Sequence, residues 1–555
     1  MRIDQIEVRN HSRICDLKLN IRRHAVIIGA NDVGKSSILR LLQLLLGSTT
    51  SQLFQQLSSR DLSASTIDLV VEVRFVAFTD AERTLFPREI SINPGDRGES
   101  LRVQLVVGLD PDDEDAITIR RWFPESGHER GPTREQLEAF GWRYLPATRS
   151  SSAVALHGPN SALQTLLKGI DLGTEKTTLI DLLNTFNNEL GASTRIAELR
   201  GDVAGHLSRA MPRGFVKDDL SVRTAADLEG GVLGGVSMFF ERDGEHVPIS
   251  EQSDGLRQLM SMTLFDLAEG TASVVAIDEP ELHLHPSSQR TVAELFGGAK
   301  NQKILVTHSP YIVQRFDPSE VIAVSPDRVC HQIPEARLTA VEKERANWWS
   351  PRLLEVLTAR CAIVVEGASD RIIVERAARL LGIGLDRLGA VVFDLDGAMK
   401  FPHVYKLIGR QGFQVPILGL VDEAEKMIWH GQIGGSPTDV FGTTLFVSNP
   451  NLETEYCTAL TGPGTARALV KSGYCKENAV LAACRVRNLQ DIDVKAVVAY
   501  VGKNKVDAAV AIASQLDAST ASKISSVHGL LQRLHTLGTS LMTRANPQRI
   551  AATSA

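Results

Sequence analysis

A glycine-rich segment near the start of the chain has the residue types that bind phosphate groups. It reads Gly29-Ala-Asn-Asp-Val-Gly-Lys-Ser, follows an apolar strand and precedes a helix predicted over Ser36–Leu46. This pattern, G-x-x-x-x-G-K-[ST], lets backbone N–H groups surround phosphate oxygens, while the lysine neutralises phosphate charge and the serine hydroxyl ligates Mg²⁺. An accidental glycine-rich turn is the alternative, and the flanking strand and helix count against it. The residues predicted to bind a nucleotide are Gly29, Asn31, Gly34, Lys35, Ser36 and Ser37, with Ser36 also a metal ligand.

Two later strands end in polar residues that suit the same chemistry. The apolar run Val274–Asp278 leads into Glu279, and Ile304–Thr307 leads into His308. Asp278 is predicted to bind the nucleotide and its Mg²⁺, and Glu279 to polarise an attacking water. A strand with an acidic end is the simpler alternative for the first run. His308 is predicted to contact the γ-phosphate, although a single histidine is more often structural.

A third group of acids lies in the C-terminal part of the chain. Glu366 ends an apolar strand, Asp370 follows one helical turn later, and Asp422 ends another apolar strand. Because the carboxyl ends of parallel strands meet at one edge of a sheet, these acids are expected to share a pocket. Crowded carboxylates repel one another unless cations lie between them, and oxygen ligands suit Mg²⁺ or Mn²⁺. Any one acid alone would be read as a solvated turn residue, but together they predict a metal site that can assist in-line attack on a phosphodiester.

The remaining pattern indicates which elements must position these residues. Alternating polar and apolar residues after Ile67 and Leu101 predict an antiparallel sheet packed on the first strands. Between about 150 and 213 the apolar spacing is helical, and after about 350 strands and helices alternate as in a small, mostly parallel sheet. The strands predicted around the sites are Ile3–Val8, Ala25–Ile28, Ala362–Val365, Ala390–Phe393 and Val415–Val421.

Length and composition limit the classes of protein to consider. The chain has 555 residues, 43% hydrophobic and 23% charged, which predicts a folded protein of roughly three to four domains. With 60 Lys and Arg against 66 Asp and Glu, the net charge is −6, so any DNA contact must be local. The six cysteines include no C-x-x-C pair, which argues against a zinc ribbon or a disulfide framework and fits a reducing cytoplasm. No run reads as a signal peptide or a membrane span.

The order of the nucleotide-binding motifs resembles the ABC-type ATPase heads of the SMC, Rad50 and RecF group. In that resemblance Gln252–Arg257 is a variant signature motif, whose Ser253 and Gly255 would bind the nucleotide of a second head. ATP is sandwiched between two heads in that group, so the resemblance implies a dimer. Asp61 is a candidate for the Q-loop region, and Tyr144–Arg149 is similar to a stretch of these heads that is given no role here.

The C-terminal acids resemble the TOPRIM metal-binding domain of topoisomerases, primases and nucleases. An ABC head followed directly by TOPRIM resembles the OLD (overcoming lysogenization defect) family of ATP-dependent nucleases over nearly the whole chain. The resemblance implies that Glu453, within Asn451–Glu455, joins the metal site and that Lys505 is a catalytic lysine, preferred here over Lys503. A lysine at that place would stabilise the charge of a pentacovalent phosphate.

The chain departs from the TOPRIM pattern at one position. TOPRIM domains usually carry Asp-x-Asp after the third strand, whereas here Ala424 stands in place of the second acid that should follow Asp422. Either Glu423 or Glu425 substitutes, since Glu425 lies near Asp422 on a helical turn, or one ion binds weakly. The departure puts efficient two-metal cleavage in doubt without removing metal binding.

The predicted fold is α/β, with an ABC-type (SMC/Rad50/RecF-like) P-loop ATPase domain that contains a helical dimerisation insertion, followed by a TOPRIM α/β domain. We expect the N-terminal part of the ATPase at 1–150 and the insertion at 151–213. The C-terminal part of the ATPase is expected at 214–345, and the TOPRIM nuclease domain with its helical C-terminal segment at 350–555.

Together these features predict an ATP-regulated, divalent-metal-dependent DNA endonuclease or nickase. The cofactors expected are ATP with Mg²⁺ in the head and Mg²⁺ or Mn²⁺ in the TOPRIM site. The resemblance implies a cytoplasmic protein of anti-phage defence or DNA metabolism that binds DNA and no membrane. The resemblance also implies a homodimer or larger homo-oligomer, and it leaves open whether a helicase-like or other defence partner is required.

The alternative from another class is an ATP-dependent DNA-sensing or assembly protein whose TOPRIM domain serves as a scaffold. Ala424 favours this alternative. The retained residues of the pattern count against it, namely Glu366, Asp370, Asp422 and Lys505. A topoisomerase would need a nucleophilic tyrosine, and none stands in a recognisable context. A bacterial-type primase would bring a zinc module that the cysteine spacing denies, and a transporter would have no use for the C-terminal acids.

Overall fold

The chain divides into two compact units. The first comprises Met1–Ile27 with Gly34–Val321, and the second comprises Ile28–Val33 with Ile322–Ala555. The domain boundary expected near 350 falls inside the second unit, and the finer boundaries stay predictions. The computed structural model describes residues 1–93, 98–110, 113–127, 130–147, 175–211, 214–224, 236–242, 245–248, 253, 255–256, 259, 262, 273–340, 342 and 352–544.

The first unit contains both antiparallel and parallel strands. The strands described in it are β1 (Arg2–Arg9), β2 (Leu17–Asn20), β3 (Ala25–Gly29), β4 (Leu69–Val76), β5 (Ile90–Asn93), β6 (Gly98–Asp110), β7 (Asp113–Trp122), β8 (Trp142–Leu145), β9 (Leu220–Thr224), β10 (Val236–Arg242), β11 (Glu245–Pro248), β12 (Val274–Asp278) and β13 (Gln302–Val306).

One sheet of this unit has the strand order β2-β1-β4-β6-β5, with β7 also paired to β6, and all its pairs are antiparallel. Along β4 the residues alternate between buried and partly exposed. Such alternation is expected where only one face of a sheet covers the core. The antiparallel sheet predicted from the alternating sequence is therefore confirmed. A small antiparallel sheet has the order β11-β10-β9.

The strands that carry the nucleotide-binding motifs are parallel. They lie side by side in the order β3-β13-β12-β8, and β3, β12 and β13 are buried along their whole length. Strands buried along their whole length are typical of parallel sheets covered on both faces. Because the strands run in the same direction, the segments that follow Gly29, Asp278 and Val306 all lie at the carboxyl edge of this sheet.

The helices of the first unit connect these strands. The helical spacing predicted after residue 150 is confirmed within 175–210, whereas 151–174 lies outside the described residues. The helices described are α1 (Lys35–Gly47), α2 (Thr50–Gln56), α3 (Asp80–Leu85), α4 (Arg134–Ala139), α5 (Glu175–Ala192), α6 (Thr194–Ala210), α7 (Pro286–Gly298) and α8 (Pro310–Val313).

The second unit is built on a parallel sheet of the order β17-β16-β18-β19. The small parallel sheet predicted after residue 350 is thereby confirmed. Its third predicted strand starts two residues later than expected, after Pro416. The strands described in this unit are β14 (Val321–Val324), β15 (Cys330–Gln332), β16 (Cys361–Val365), β17 (Ala390–Asp394), β18 (Ile417–Asp422) and β19 (Leu445–Ser448).

Helices cover this parallel sheet. On one face, apolar residues of several helices form a continuous core with the strands. Near the other face, the Trp429 ring lies against Gly419 of β18 and stacks on Phe401 at 4.1 Å between ring centroids. The helices described are α9 (Ala368–Leu380), α10 (Leu385–Leu388), α11 (Phe401–Ile408), α12 (Lys426–Ile433), α13 (Pro437–Val440), α14 (Leu452–Leu460), α15 (Gly462–Lys471), α16 (Glu477–Cys484), α17 (Val494–Val501), α18 (Lys505–Gln515), α19 (Ala518–Ala521) and α20 (Ser525–Arg544).

The C-terminal helices bring distant segments to the sheet. α18 packs against α9, and α20 packs against β18 and β19. Lys505 at the start of α18 lies within electrostatic reach of Asp370 at the start of α9. Among the described residues, no helix combines the length and the apolar character that crossing a membrane requires.

Candidate functional site

The phosphate-binding loop lies between β3 and α1. A Cβ atom at Gly29 would lie 2.6 Å from the carbonyl oxygen of Val324, so the end of β3 has no room for a side chain. Gly34 has φ +95°, and a Cβ atom there would lie 2.5 Å from the carbonyl oxygen of Arg13. Glycine alone adopts this conformation here without strain. The sequence thus forms the tight turn that its motif predicts, and Lys35 starts α1 with only 5% of its surface exposed.

Ser36 and Asp278 meet at the end of this loop. The Ser36 hydroxyl donates a hydrogen bond of 3.1 Å to Asp278 Oδ1. Burial raises the pKa of Asp278 and the charge of Glu279 also raises it, whereas the Ser36 bond and the charge of Lys35 lower it. A hydroxyl and a carboxylate oxygen side by side are ligands that Mg²⁺ prefers, and a cation would offset the burial of the charge. The pair fits the metal of a bound nucleotide.

Glu279 and His308 lie beside that pair. The Glu279 backbone has φ +49°, and its N–H donates to the carbonyl oxygen of Val306 at 2.8 Å, which joins the ends of β12 and β13. Burial lowers the pKa of His308, the charge of Lys35 lowers it further, and the charge of Glu279 raises it. His308 is therefore uncharged at neutral pH, and it lies within electrostatic reach of both residues.

Glu281 holds the histidine loop in place, a role that the sequence interpretation missed. Its carboxylate accepts hydrogen bonds from the Thr307 hydroxyl at 2.7 Å and from the His308 backbone N–H at 2.5 Å. Burial raises the pKa of Glu281 above its ordinary value, and these two bonds lower it. A second carboxylate two residues after Glu279 was the available signal, but only the fold shows which loop it contacts.

The other residues predicted for nucleotide binding take different positions. Asn31 is exposed in the turn, and Ser37 is half-buried in the first turn of α1. Ser253 is exposed, and a Cβ atom at Gly255 would lie 2.7 Å from the carbonyl oxygen of His283, so the signature segment starts beside the segment after Glu281. Their roles, and those of Gln252 and Arg257 outside the described residues, stay predictions.

The Q-loop candidate and the Tyr144 segment also have structural neighbours. Asp61 accepts a hydrogen bond from Arg40 at 3.1 Å. Tyr144 lies on β8, next to β12, and its pKa is raised by burial and by the charge of Asp278. Arg149 lies outside the described residues. These contacts add no chemical role to the two segments.

The second unit brings the C-terminal acids to one edge of its sheet. Glu366 follows β16, Asp422 ends the neighbouring strand β18, and the Asp422 backbone N–H donates to Glu366 Oε1 at 2.7 Å. Carboxylate oxygens of Glu366, Asp422 and Glu425 lie within 4.8 Å of one another. From the sequence, Glu425 was only one of two candidates to replace the acid missing at position 424. In the structure its carboxylate lies beside those of Glu366 and Asp422.

Asp370 and Glu453 approach the same edge from two helices. Asp370, in the first turn of α9, accepts a hydrogen bond from the Gly367 backbone N–H at 3.0 Å. Glu453, in the first turn of α14, is buried and pairs with Lys505 Nζ at 3.0 Å. Burial lowers the pKa of Lys505, but the bond and charge of Glu453, with the charges of Asp422 and Asp370, raise it overall. Lys505 therefore stays positively charged beside the acids.

The proximity of these acids changes how readily they ionise. Burial, the larger cause, and the charges of neighbouring acids raise each pKa, while backbone hydrogen bonds lower it. The net result is a pKa of about 7 for Glu366, about 6 for Asp370 and about 8 for Asp422. Such a set of carboxylates favours either protons or a bound cation.

Other acids nearby are engaged elsewhere. Glu423 pairs with Lys426 through its side chain. Glu455 accepts hydrogen bonds from the Asn449 backbone and from the backbone and hydroxyl of Ser526, so it joins α14 to α20. Position alone did not distinguish them from the acids at the site.

The residues present fit a divalent cation of the Mg²⁺ or Mn²⁺ type. The donors are carboxylate oxygens, which such ions prefer. Burial and neighbouring acids raise the pKa of Glu366 and Asp422, and a bound cation would favour their ionised forms. The hydroxyl of Tyr456 is buried with no hydrogen-bond partner among the described residues. Burial and the charges of Cys457, Glu453 and Asp370 raise the Tyr456 pKa, so it lies within electrostatic reach of the acids.

Two family models match the chain. A family model described as "AAA domain, putative AbiEii toxin, Type IV TA system" matches residues 25–314, more than half of the chain. A second model, "Overcoming lysogenization defect protein-like, TOPRIM domain", matches residues 357–423. The chain belongs to this AAA family and carries an OLD-type TOPRIM domain. The expected family and α/β fold class are thereby confirmed.

Curated relatives align with most of this OLD-type chain. Endonuclease GajA of Bacillus cereus (strain VD045) is 21% identical over 400 residues, which cover 68% of this chain and 67% of GajA. The OLD nuclease of Thermus scotoductus (strain ATCC 700910 / SA-01) is 24% identical over 428 residues, which cover 71% of this chain and 77% of that protein. The solved C-terminal region of the Burkholderia pseudomallei OLD protein has a TM-score of 0.28 and 22% identity, covering 32% of this chain and 98% of that structure.

Proposed function

We propose that the chain is an ATP-regulated, divalent-metal-dependent DNA endonuclease or nickase. The observation that carries this proposal is the group of acids at the edge of the TOPRIM sheet, with a charged lysine beside them. Two relatives named as nucleases, each aligned over two thirds of its length or more, support the same activity. The residues proposed for the site are Glu366, Asp370, Asp422, Glu453 and Lys505.

The geometry supports a division of roles at this site. Glu366 and Asp422, joined by a hydrogen bond of 2.7 Å, would hold a divalent cation, and Asp370 and Glu453 would extend its surroundings. A bound cation supplies Lewis-acid stabilisation of the phosphodiester oxygens. Half of the Lys505 side chain is exposed, so its ammonium can contact a phosphate oxygen while it remains paired with Glu453. Its positive charge would stabilise the negative charge that develops during attack.

The ATPase site would control access to the nuclease site rather than supply energy for phosphodiester cleavage. Lys35, Ser36 and Asp278 would hold ATP with Mg²⁺, and Glu279 would polarise the attacking water. Uncharged His308, fixed through Glu281, can donate one hydrogen bond toward the γ-phosphate. We propose a homodimer or larger homo-oligomer in which Ser253 and Gly255 complete the nucleotide site of a second copy.

The alternative function is an ATP-dependent DNA-sensing or assembly protein with an impaired TOPRIM scaffold. The observation that favours it is exposed Ala424, which leaves the site without the second acid after β18. The raised pKa values of Glu366 and Asp422 count against it. Crowded, buried acids destabilise the fold when they are ionised, and a domain with only a scaffold role has no need of them. The roles in anti-phage defence or DNA metabolism, the cytoplasmic location and a helicase-like partner also stay proposals.

Plasmid cleavage distinguishes the two functions. Purified protein is incubated with supercoiled plasmid and Mg²⁺ or Mn²⁺, with and without ATP, alongside Glu366→Ala and Glu423→Gln. We expect metal-dependent nicking or linearisation that Glu366→Ala abolishes and that Glu423→Gln, a matched control in the same region, leaves intact. ATPase activity should survive in both variants. Absence of cleavage under every condition, with ATPase activity intact, would favour the scaffold.

A further inference from the structure

The TOPRIM site lacks a carboxylate where its pattern has one. Ala424, two residues after Asp422, has no ligand atom in its side chain and is exposed. The remaining question is whether another residue of this chain supplies the missing oxygen. The candidates are the acids on either side, Glu423 and Glu425.

The turn after β18 directs the two candidates differently. The Glu423 backbone N–H donates to the carbonyl oxygens of Ser448 and Pro450, at 3.1 and 3.2 Å, and its carboxylate pairs with Lys426. The side chain of Glu423 is therefore already neutralised by a cation of its own. It does not belong to the group of close carboxylate oxygens found among the described residues.

Glu425 is brought back toward the end of β18 by a tight turn. Its backbone N–H donates to the carbonyl oxygen of Asp422 at 3.1 Å, and it precedes the first residue of α12. A carboxylate oxygen of Glu425 lies within 4.8 Å of those of Glu366 and Asp422. Two oxygens on opposite sides of one Mg²⁺ are about 4.2 Å apart. Oxygens on adjacent sides of the same ion are about 3.0 Å apart. From spacings of at most 4.8 Å, a shift of about 1 Å or less per oxygen would let all three bind one ion.

We propose that Glu425 is a ligand of the divalent cation held by Glu366 and Asp422, in the place of the acid missing at position 424. This inference rests on the proposed metal-dependent function of the TOPRIM domain. If Glu425 supplies the missing oxygen, the absence of an acid at position 424 does not make the metal site defective.

Direct Mn²⁺ binding tests the assignment without relying on cleavage. Isothermal titration is done on the full chain without nucleotide, with Asp278→Asn in every sample to remove the metal ligand of the ATPase site. We expect Glu425→Gln to weaken Mn²⁺ binding at least about tenfold, the effect of losing even an outer partner of a metal ligand. The matched control Glu423→Gln should change the affinity less than about twofold.

A double substitution that moves the carboxylate to position 424 distinguishes the loss of a metal ligand from a loss of folding. Adding Ala424→Asp to Glu425→Gln restores the usual acid position, and this double substitution should recover most of the Mn²⁺ affinity. Unchanged Mn²⁺ affinity in Glu425→Gln, while Glu366→Gln abolishes binding and the parent protein cleaves plasmid, would overturn this inference and leave the proposed function standing. If Glu366→Gln leaves Mn²⁺ binding unchanged and the parent protein does not cleave plasmid, both the role of Glu425 and the proposed nuclease function are overturned.

Discussion

Asp422→Asn is expected to stabilise the metal-free protein at alkaline pH. Burial raises the pKa of Asp422 from 3.8 to about 8, and the charges of Glu366, Asp370 and Glu453 contribute to the rise. The ionised carboxylate therefore costs the folded state free energy that an uncharged amide of the same shape avoids. An asparagine keeps an oxygen to accept the hydrogen bond that the Leu452 backbone N–H donates at 3.1 Å.

The size and sign of this effect follow from the pKa of Asp422. One pKa unit corresponds to about 1.4 kcal/mol, so the rise to about 8 would be worth about 6 kcal/mol for a group shut off from water. Asp422 is only partly buried, and screening by solvent reduces the expected gain to about 2–3 kcal/mol. Between about pH 4 and 8 the folded state binds a proton that the unfolded state has released, so wild-type stability falls as pH rises. The advantage of the variant is absent below about pH 4 and complete above about pH 8.

Thermal unfolding in the presence of EDTA measures the effect. At about pH 9 the Tm of Asp422→Asn should exceed that of the wild type by about 4–12 °C, and at about pH 5 by much less. Asp394→Asn is the matched control, because this buried acid is paired with Arg352 at 2.9 Å and Arg371 at 3.4 Å and its loss should lower the Tm. With Asp278→Asn in both samples to remove the metal ligand of the ATPase site, Mn²⁺ in excess of EDTA should raise the Tm of the protein that keeps Asp422 and not that of Asp422→Asn. A variant no more stable than the wild type at about pH 9 would refute the reasoning.

Three further substitutions test the remaining assignments. Gly34→Ala should weaken ATP binding about tenfold or more in a fluorescent-nucleotide titration, because φ +95° and the nearby Arg13 carbonyl exclude a Cβ atom; unchanged affinity would contradict the described loop. Glu279→Gln should slow ATP hydrolysis about 10²- to 10⁴-fold in a phosphate-release assay while ATP still binds, and normal turnover would remove Glu279 from its role. Lys505→Ala should slow plasmid cleavage about 10²- to 10³-fold with metal binding retained, whereas Lys503→Ala should have little effect; the opposite ranking would reassign the catalytic lysine.

The local features of both sites could be predicted from the sequence. The phosphate-binding turn depends on a strand, two glycines and a helix start that are contiguous, so its pattern determines its shape. The apolar strands before Asp278, Glu366 and Asp422 indicated parallel sheets, and parallel strands place their carboxyl ends together. These predictions hold because periodicity and backbone conformation depend on neighbouring residues alone.

The partners of individual side chains were decided by the tertiary structure. Glu453 forms an ion pair with Lys505, whereas Glu455, only two residues away, accepts a hydrogen bond from the Ser526 hydroxyl. Glu425 reaches the acids at the end of the sheet while Glu423 pairs with Lys426. Adjacent acids of one type are equivalent in sequence, because which way each side chain points depends on the turn that carries it and on helices far along the chain.

The electrostatic character of the sites likewise came from the packing. The pKa of an acid depends on burial and on charges that other segments bring near, so the sequence could name Asp422 as a ligand but not show that its pKa rises to about 8. In the same way, the sequence contained Glu281, but only the fold placed its carboxylate on the His308 backbone. The sequence by itself therefore determined the types of chemistry available, and the tertiary structure decided which side chains carry them, because distance and burial exist only in the folded chain.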